Sequence, residues 1–147
     1  MTALAAQPRK VALVLVGAVF LFYLNSLGNA FQYDDKHAIV ANPHLSSLNN
    51  IPAFFVHPEY FSSDPDKAMY RPLLLASLAL NYAWSGTQVY SYHLVNIALH
   101  ALCSLLVWAL LRQLGRPVGV ALAGGLIFAL HPLCAEPVNY ISSRSEL

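Results

Sequence analysis

Long apolar runs separated by short polar links dominate the hydropathy pattern of this chain. A hydrocarbon core about 30 Å thick needs roughly 20 helical residues, with about 17 as the lower limit. Three runs reach that length, at residues 11–27, 94–111 and 118–135. A fourth run at residues 71–85 is shorter, which favours an interfacial or re-entrant helix. The pattern predicts an all-α, multi-pass membrane protein.

Basic residues orient the predicted spans. Arg9 and Lys10 precede the first run, and Arg112 and Arg116 lie between the second and third. Cytoplasmic segments are enriched in Lys and Arg, so both clusters are expected in the cytoplasm. That arrangement needs an even number of crossings between them, which excludes the fourth run as a span. We predict a cytoplasmic N-terminus, three spans and a juxtamembrane helix within an extracytoplasmic loop, residues 31–93.

The composition agrees with a membrane location. Hydrophobic residues make up 57% of the chain and charged residues 10%, against roughly 25% charged in an ordinary soluble domain. The formal net charge is +1, which implies no general attraction to nucleic acid. Cys103 and Cys134 fall in separate apolar runs and are expected to be buried thiols.

The two ends of the chain indicate whether it begins with a cleaved signal peptide and whether it is part of a longer protein. GNA at residues 28–30 could serve as a signal-peptide cleavage site, but the long first run and the later crossings favour an uncleaved anchor. The chain ends within a mixed polar stretch, NYISSRSEL, which predicts a piece of a longer protein.

Two adjacent carboxylates, Asp34 and Asp35, follow the first predicted span in the stretch FQYDDKHAIV. Neighbouring residues point about 100° apart on a helix and to opposite faces of a strand, so one of them at most faces a given reaction centre. The other would orient it, bind a cation or pair with Lys36. A hydrated loop start without function is the alternative, although loops as long as residues 31–70 are usually functional. The histidines of this loop are too irregularly spaced for a metal signature.

Polar residues also lie within the second predicted span. Asn96, His100 and Ser104 are four residues apart, which aligns them on one helical face. Inside a bilayer such groups face the bundle interior or a wet cavity. They either hydrogen-bond to neighbouring helices or, with His93, line a cavity for a polar headgroup.

The segment after the third span, residues 136–147, carries a second polar cluster. Glu136, Tyr140 and Arg144 again follow the i, i+4, i+8 spacing of one helical face. A carboxylate, a phenol and a guanidinium together suit a phosphate and a sugar, with the arginine as phosphate partner. The alternative is a Glu136–Arg144 pair that only stabilises a short helix. The predicted topology brings this segment to the same side of the membrane as Asp34.

Four stretches, in this order, resemble the polyprenyl-phosphate-sugar-dependent glycosyltransferases of the GT-C class: FQYDD, YRPLLLASLALNY, YHLVNIALH and FALHPLCAEPVNYISSRSEL. The chain resembles above all the transmembrane-and-TPR O-mannosyltransferases and their bacterial relatives, from about Phe22 to Leu147. The resemblance implies the N-terminal portion of a longer enzyme, residues 1–147, in a bacterial inner membrane or the endoplasmic reticulum. Such relatives continue with further spans and often a TPR region.

The resemblance also implies a reaction. Enzymes of this class carry an essential acidic residue in the first extracytoplasmic loop, where this chain has Asp34 and Asp35. Related O-mannosyltransferases have Asp-Glu at this position, so the second carboxylate is shorter here. We expect Asp34 to act as the base toward a hydroxyl acceptor and Asp35 to orient it, with inversion at the anomeric carbon.

The leaving phosphate needs positive charge more than a proton. Arg71 and Arg144 are the expected phosphate partners, and His131 and Glu136 are expected to frame the donor headgroup. The implied co-substrates are a polyprenyl- or dolichyl-phosphate sugar, such as a mannose donor, and a hydroxyl acceptor on a protein or glycan. No cofactor is predicted, and a divalent metal stays open without support from the spacing.

Two other classes of function remain open from the sequence. A non-catalytic three-span packing or assembly module, or an inactive fragment, would use the polar stripe of the second span, Asn96, His100 and Ser104, for interhelical hydrogen bonds. A piece of a transporter or channel is suggested only by the histidines within the second span.

Overall fold

A computed structural model describes residues 8–147, and every regular element in that range is helical. The main helices are α1 (Pro8–Tyr23), α2 (Pro72–Ser85), α3 (Val89–Gln113), α4 (Val118–Ala129) and α5 (Ala135–Asn139). Short helical segments lie between them at Leu24–Gly28, Lys36–Val40, Pro43–Ser46, Leu48–Asn50, Pro52–Phe55, Pro58–Phe61, Pro65–Lys67 and Pro132–Cys134, and a last one, Ile141–Glu146, follows α5. The predicted all-α class is confirmed.

Two helices of the described range are long and apolar enough to cross a membrane. They are α1 with its continuation, Pro8–Gly28, and α3. A third crossing results if α4 and the segment Pro132–Asn139 are counted as one span, although the two are bent by 52°. A multi-pass membrane protein is thereby confirmed, whereas the cytoplasmic N-terminus stays a prediction.

The third predicted span, residues 118–135, is not one continuous helix. α4 ends at Ala129, and His131 is extended at ψ 131° because the following Pro132 disfavours helical backbone. The carbonyl group of Ala129, at the end of α4, finds a hydrogen-bond partner within the chain, since His100 Nε2 donates to it at 3.0 Å. The Leu133 N–H donates to His131 Nδ1 at 3.2 Å.

The second predicted span, residues 94–111, is longer in the structure. α2 ends at Ser85, the following Gly86 adopts φ 58°, and α3 already begins at Val89. His93 therefore belongs to a helix rather than to the preceding loop. The reason is burial: Tyr92 and His93 are fully buried and continue the inward face of α3.

Small residues bring the membrane helices close together. A Cβ added to Gly125 of α4 would lie 3.1 Å from Leu15 Cδ2 of α1 and 3.4 Å from the Ser104 carbonyl of α3. Ala121, one turn earlier, is fully buried. Such residues allow close helix packing where van der Waals contact is the main attraction.

The long loop before α2 is folded and not extended. Its apolar side chains form one core with the buried face of α2: Ala38, Ile39, Leu45, Phe54, Phe61, Leu74, Leu75, Leu78 and Ala79. Pro72 is the first residue of α2, where a missing N–H costs nothing. With 14 residues α2 is too short to span a bilayer, which agrees with the predicted juxtamembrane helix.

Candidate active site

Two distant segments meet at one end of the helices. The turn after α1 contacts α5, since Ser26 Oγ donates to Asn139 Oδ1 at 2.5 Å and Asn29 Nδ2 donates to the same oxygen at 3.1 Å. The loop that follows α1 then runs beside the segment that follows α5. The Asp34–Asp35 pair and the second polar cluster are thus brought together, as the topology predicts.

Asp35 is a buried carboxylate whose oxygens are both occupied. It is 1% exposed. Oδ1 accepts hydrogen bonds from the backbone N–H of Ser142 at 2.8 Å and from its hydroxyl at 2.6 Å. Oδ2 accepts the Gln32 N–H at 3.0 Å. Asp35 therefore ties the loop to the segment after α5.

Asp34 faces outward from the same turn. Its side chain is 46% exposed. Oδ2 accepts the Tyr140 hydroxyl at 2.8 Å, and Oδ1 contacts His37 Nε2 at 3.0 Å. These two bonds, the Tyr140 bond first, hold the pKa of Asp34 below its ordinary value. Burial, followed by the bond to Asp34, raises the pKa of Tyr140 to about 12. At neutral pH the pair is a carboxylate and a neutral phenol that donates to it.

A cavity of about 450 Å³ opens beside this pair. It is lined by Gln32, Tyr33, Ala135, Glu136, Asn139 and Tyr140. Tyr33 is 81% exposed and adopts φ 42°, a backbone region that side chains rarely occupy outside functional or strained sites. The exposed Glu136 forms part of the wall. Asp34 thus lies next to an open space of small-ligand size.

Arg144 is buried and bonded to neutral groups. It is 4% exposed. Nε donates to Asn96 Oδ1 at 2.6 Å, and Nη2 donates to Asn81 Oδ1 at 3.0 Å and to the Tyr92 carbonyl at 3.2 Å. Nη1 donates to Ser77 Oγ at 3.2 Å. Burial lowers the pKa of Arg144 to about 10, so the guanidinium is still charged at neutral pH. Within residues 8–147 no carboxylate forms an ion pair with it.

A second cavity, of about 590 Å³, lies between α2 and the end segment. Its lining combines two arginines with mainly apolar residues: Tyr70, Arg71, Pro72, Leu73, Leu74, Ser77, Leu99, Arg144, Ser145 and Leu147. Arg71 Nη1 donates to Ser145 Oγ at 3.3 Å. Two guanidinium groups over an apolar floor match the chemistry of a lipid that carries a phosphate.

The predicted alignment of Glu136, Tyr140 and Arg144 on one helical face is wrong. α5 ends at Asn139, and Tyr140 is extended at φ −103° and ψ 109°. Glu136 therefore borders the first cavity, whereas Arg144 borders the second. Glu136 and Arg144 also form no ion pair in the described chain, so the alternative prediction is wrong as well.

The polar stripe of α3 makes bonds within the protein. Asn96, His100 and Ser104 are fully buried. Asn96 Nδ2 donates to the Pro137 carbonyl at 3.2 Å while its oxygen accepts Arg144, and His100 closes the end of α4. His93 is fully buried, and its ring nitrogens make no hydrogen bond to the rest of the described chain. His100 also borders a cavity of about 260 Å³ that includes Glu136.

Sequence reasoning missed several residues that build the site. His37 lies three residues after Asp34, so a helical turn could have suggested their contact. Ser142 and Asn81 gave no such signal, because their partners Asp35 and Arg144 are 107 and 63 positions away. Only the packing of distant segments creates these contacts.

The fold and the site define a multi-pass helical membrane protein with a partly exposed carboxylate at one end of its helices. Known proteins narrow this class. The chain is 33% identical over 132 residues to "Protein O-mannosyl-transferase Tmtc1" of Drosophila melanogaster, covering 87% of this chain and 15% of that protein. It is 36% identical over 132 residues to "Protein O-mannosyl-transferase Tmtc2" of the same species, with 87% and 14% covered. "Protein O-mannosyl-transferase TMTC3" of Homo sapiens is 31% identical over 141 residues, with 94% and 15% covered.

This chain is accordingly homologous to a part of the protein O-mannosyl-transferases, and the resemblance inferred from its motifs is confirmed. It spans about one seventh of the length of these relatives. No family model and no solved structure matches the chain.

Proposed function

We propose that this chain supplies part of the active site of a protein O-mannosyl-transferase, which moves mannose from a lipid-linked phosphate donor to a hydroxyl group of a protein. The names of its relatives support mannose transfer to proteins. The observation that carries the proposal is the Asp34 carboxylate, which is partly exposed beside a cavity and held by Tyr140 where two distant segments meet.

Asp34 is the proposed base. The acceptor oxygen attacks the anomeric carbon, its proton passes to the Asp34 carboxylate, and the bond from that carbon to the donor phosphate oxygen breaks. Because its pKa is lowered, Asp34 is a weak base. Proton transfer therefore has to accompany formation of the new C–O bond, when the attacking oxygen becomes acidic. A single displacement of this kind inverts the sugar configuration.

The second cavity is the proposed site for the donor phosphate and the first part of its polyprenyl or dolichyl chain. Arg71 and Arg144 would neutralise the charge that develops on the leaving phosphate. The leucines of the cavity would contact the lipid. Glu136, in the wall of the first cavity, is the proposed contact to the sugar. His131 is exposed and uses Nδ1 to hold the turn after α4, so only Nε2 is free to reach the headgroup.

The enzyme would work in the endoplasmic reticulum of a eukaryote or the inner membrane of a bacterium, with Asp34 on the extracytoplasmic side. A non-catalytic packing module is the competing function. It is favoured by the bonds of Asn96, His100 and Asp35, which all lie within the chain. It does not account for a partly exposed carboxylate that is held by a phenol in the wall of an open cavity.

The test is transfer of labelled mannose from a lipid-phosphate donor to an acceptor peptide, using the full-length protein in membranes. We expect Asp34→Asn to lower the rate by at least about 100-fold, the usual contribution of a general base. Asp66→Asn removes an exposed carboxylate of the same loop and should leave the rate unchanged. A wild-type rate for Asp34→Asn would overturn the assignment of Asp34 as base.

A further inference from the structure

A chain of hydrogen bonds runs from Asp34 into the folded loop. His37 Nε2 lies 3.0 Å from Asp34 Oδ1, and His37 Nδ1 lies 2.8 Å from Ser62 Oγ. The His37 side chain is only 14% exposed, and Ser62 is buried. The imidazole is thus enclosed between the outward-facing carboxylate and a hydroxyl group from a segment 25 residues away.

The partners of the ring determine which nitrogen carries a proton. An ionised carboxylate only accepts hydrogen bonds, so Nε2 carries the hydrogen that points to Asp34. Ser62 Oγ accepts the Asp64 N–H at 2.8 Å and keeps its own hydrogen. It can therefore donate to Nδ1 of a neutral ring, or accept from Nδ1 of a charged one. The ring keeps the same orientation in both charge states.

The backbone holds this arrangement at two points. The Ser63 N–H donates to the His37 carbonyl at 3.0 Å, which joins the turn of Asp34 to the segment of Ser62. The turn Lys36–Val40 is wider than an α-helical turn, with the Ala41 N–H donating to the Lys36 carbonyl at 2.8 Å. Wide turns of this kind are frequent at functional sites, because they redirect a single side chain.

We propose that His37, held by Ser62, is a positioning residue for the transfer reaction. It occupies Oδ1 of Asp34, so the acceptor hydroxyl approaches Oδ2, which accepts the Tyr140 hydroxyl and has a second lone pair to accept another hydrogen bond. When the acceptor proton arrives on Asp34, the bond from Nε2 to Oδ1 persists and keeps the carboxyl plane in place. The inference rests on the proposed role of Asp34 as base.

The other groups that act on Asp34 are few. Tyr140 donates to it, and Lys67 adds a weaker attraction that lowers its pKa further. Asp35, the neighbouring carboxylate, points inward and is bonded to Ser142. Loss of the His37 bond removes one of the two hydrogen bonds that keep the Asp34 pKa low. The pKa then rises, and the acidic limb of the activity profile moves to higher pH.

The experiment is the pH profile of kcat/KM for the full-length protein in membranes, since this profile reports groups of the free enzyme. We expect His37→Ala to lower kcat about tenfold, with the donor KM unchanged, because the base loses its orientation. Its acidic limb should move to higher pH. His37→Gln places an amide donor near the position of Nε2 and should restore most of the rate and the position of the limb.

Two further variants separate positioning from folding. Ser62→Ala frees the ring without touching Asp34, and we expect a smaller limb shift in the same direction. His44→Ala is the matched control, since His44 stacks on Tyr60 in the same loop at a centroid distance of 3.8 Å. It should leave the limb in place. If His37→Ala does not fold, the positions of the acidic limb in His37→Gln and Ser62→Ala decide whether His37 positions Asp34.

Each outcome has one meaning. An unchanged limb and an unchanged kcat in His37→Ala, with Asp34→Asn inactive, would overturn the positioning role and leave the proposed function intact. A fully active Asp34→Asn would instead remove the proposed function itself. For a properly folded His37→Ala with a lower rate but no limb shift, the role of His37 would be structural only.

Discussion

Asp34 and Asp35 are neighbours in the chain, yet they have opposite environments. Asp35 points into the protein and accepts three hydrogen bonds, two from Ser142 and one from Gln32. Asp34 points outward, keeps 46% of its side chain exposed and is bonded to Tyr140, which lines the first cavity. Because adjacent side chains diverge along the backbone, one turn can supply both a structural anchor and a reactive group.

This difference predicts that the same substitution lowers the stability of the protein at Asp35 but not at Asp34. Asp35→Asn replaces a charged acceptor and turns an amide NH₂ toward an N–H or O–H donor. We expect it to lower the free energy of unfolding by about 2 kcal/mol, since hydrogen bonds to charged groups contribute roughly 1.5–3 kcal/mol. Thermal unfolding of the detergent-purified protein measures the loss. Asp34→Asn is the matched control and should unfold near the wild-type temperature; equal losses in the two variants would contradict the assignment.

At the scale of elements, close packing of α1, α3 and α4 depends on the absence of side chains at a few positions. Gly125 lies where α4 meets both other helices, and a Cβ there would be 3.1 Å from Leu15. Gly119, six residues earlier in α4, is exposed and has open space around its Cα. The same helix thus contains a crowded glycine and a free one.

We expect Gly125→Val to destabilise the protein by about 1–3 kcal/mol, the usual cost of overpacking. Gly119→Val adds the same side chain in the first turn of α4, where there is open space around it, so its effect should be much smaller. Thermal unfolding of both variants in detergent gives the comparison. Similar unfolding temperatures for the two would show that α4 does not pack against Leu15 as described.

At the scale of the whole molecule, Arg144 connects the loop-side helix α2, the membrane helix α3 and the segment after α5. It bonds to Ser77 and Asn81 of α2 and to Asn96 of α3. A buried guanidinium without a carboxylate partner is costly unless other groups compensate it. A phosphate bound in the adjoining cavity would supply the missing negative charge.

A lipid phosphate should therefore stabilise the folded protein, and Arg71 should contribute to its binding. At a concentration 100-fold above Kd, dolichyl phosphate should raise the free energy of unfolding by about 2.7 kcal/mol. Arg71→Gln should weaken binding about tenfold or more, since it removes a charged hydrogen bond to phosphate. Arg71 is preferred to Arg144 for this test because its side chain makes a single hydrogen bond within residues 8–147, to Ser145, so its substitution should have little effect on stability.

The readout is the shift in unfolding temperature during a titration of the lipid in detergent micelles. Lys10→Gln, in the first turn of α1, is the control for loss of one positive charge and should keep the wild-type response. A response to dolichol without phosphate would indicate lipid binding alone. An equal response in Arg71→Gln and wild type would contradict a phosphate site at the second cavity.

Much of the helical arrangement could be predicted, because its causes are local. The apolar runs identify α1 and α3, and the proline at residue 72 marks the start of α2. The break after α4 also has a local cause, since Pro132 restricts the backbone of His131 within an apolar run. The early start of α3 depends on burial of Tyr92 and His93, which periodicity could not show.

By itself, the sequence determined that this is an all-α membrane protein with a polar cluster on either side of its last two spans, since hydropathy and charge act over short stretches. Its motifs also indicated the family. Only the tertiary structure decided which carboxylate faces outward, that Tyr140 and His37 hold it, and that Arg144 is buried among neutral groups. Those features depend on contacts between segments as far as 107 positions apart, and no local pattern records which distant groups will pack together.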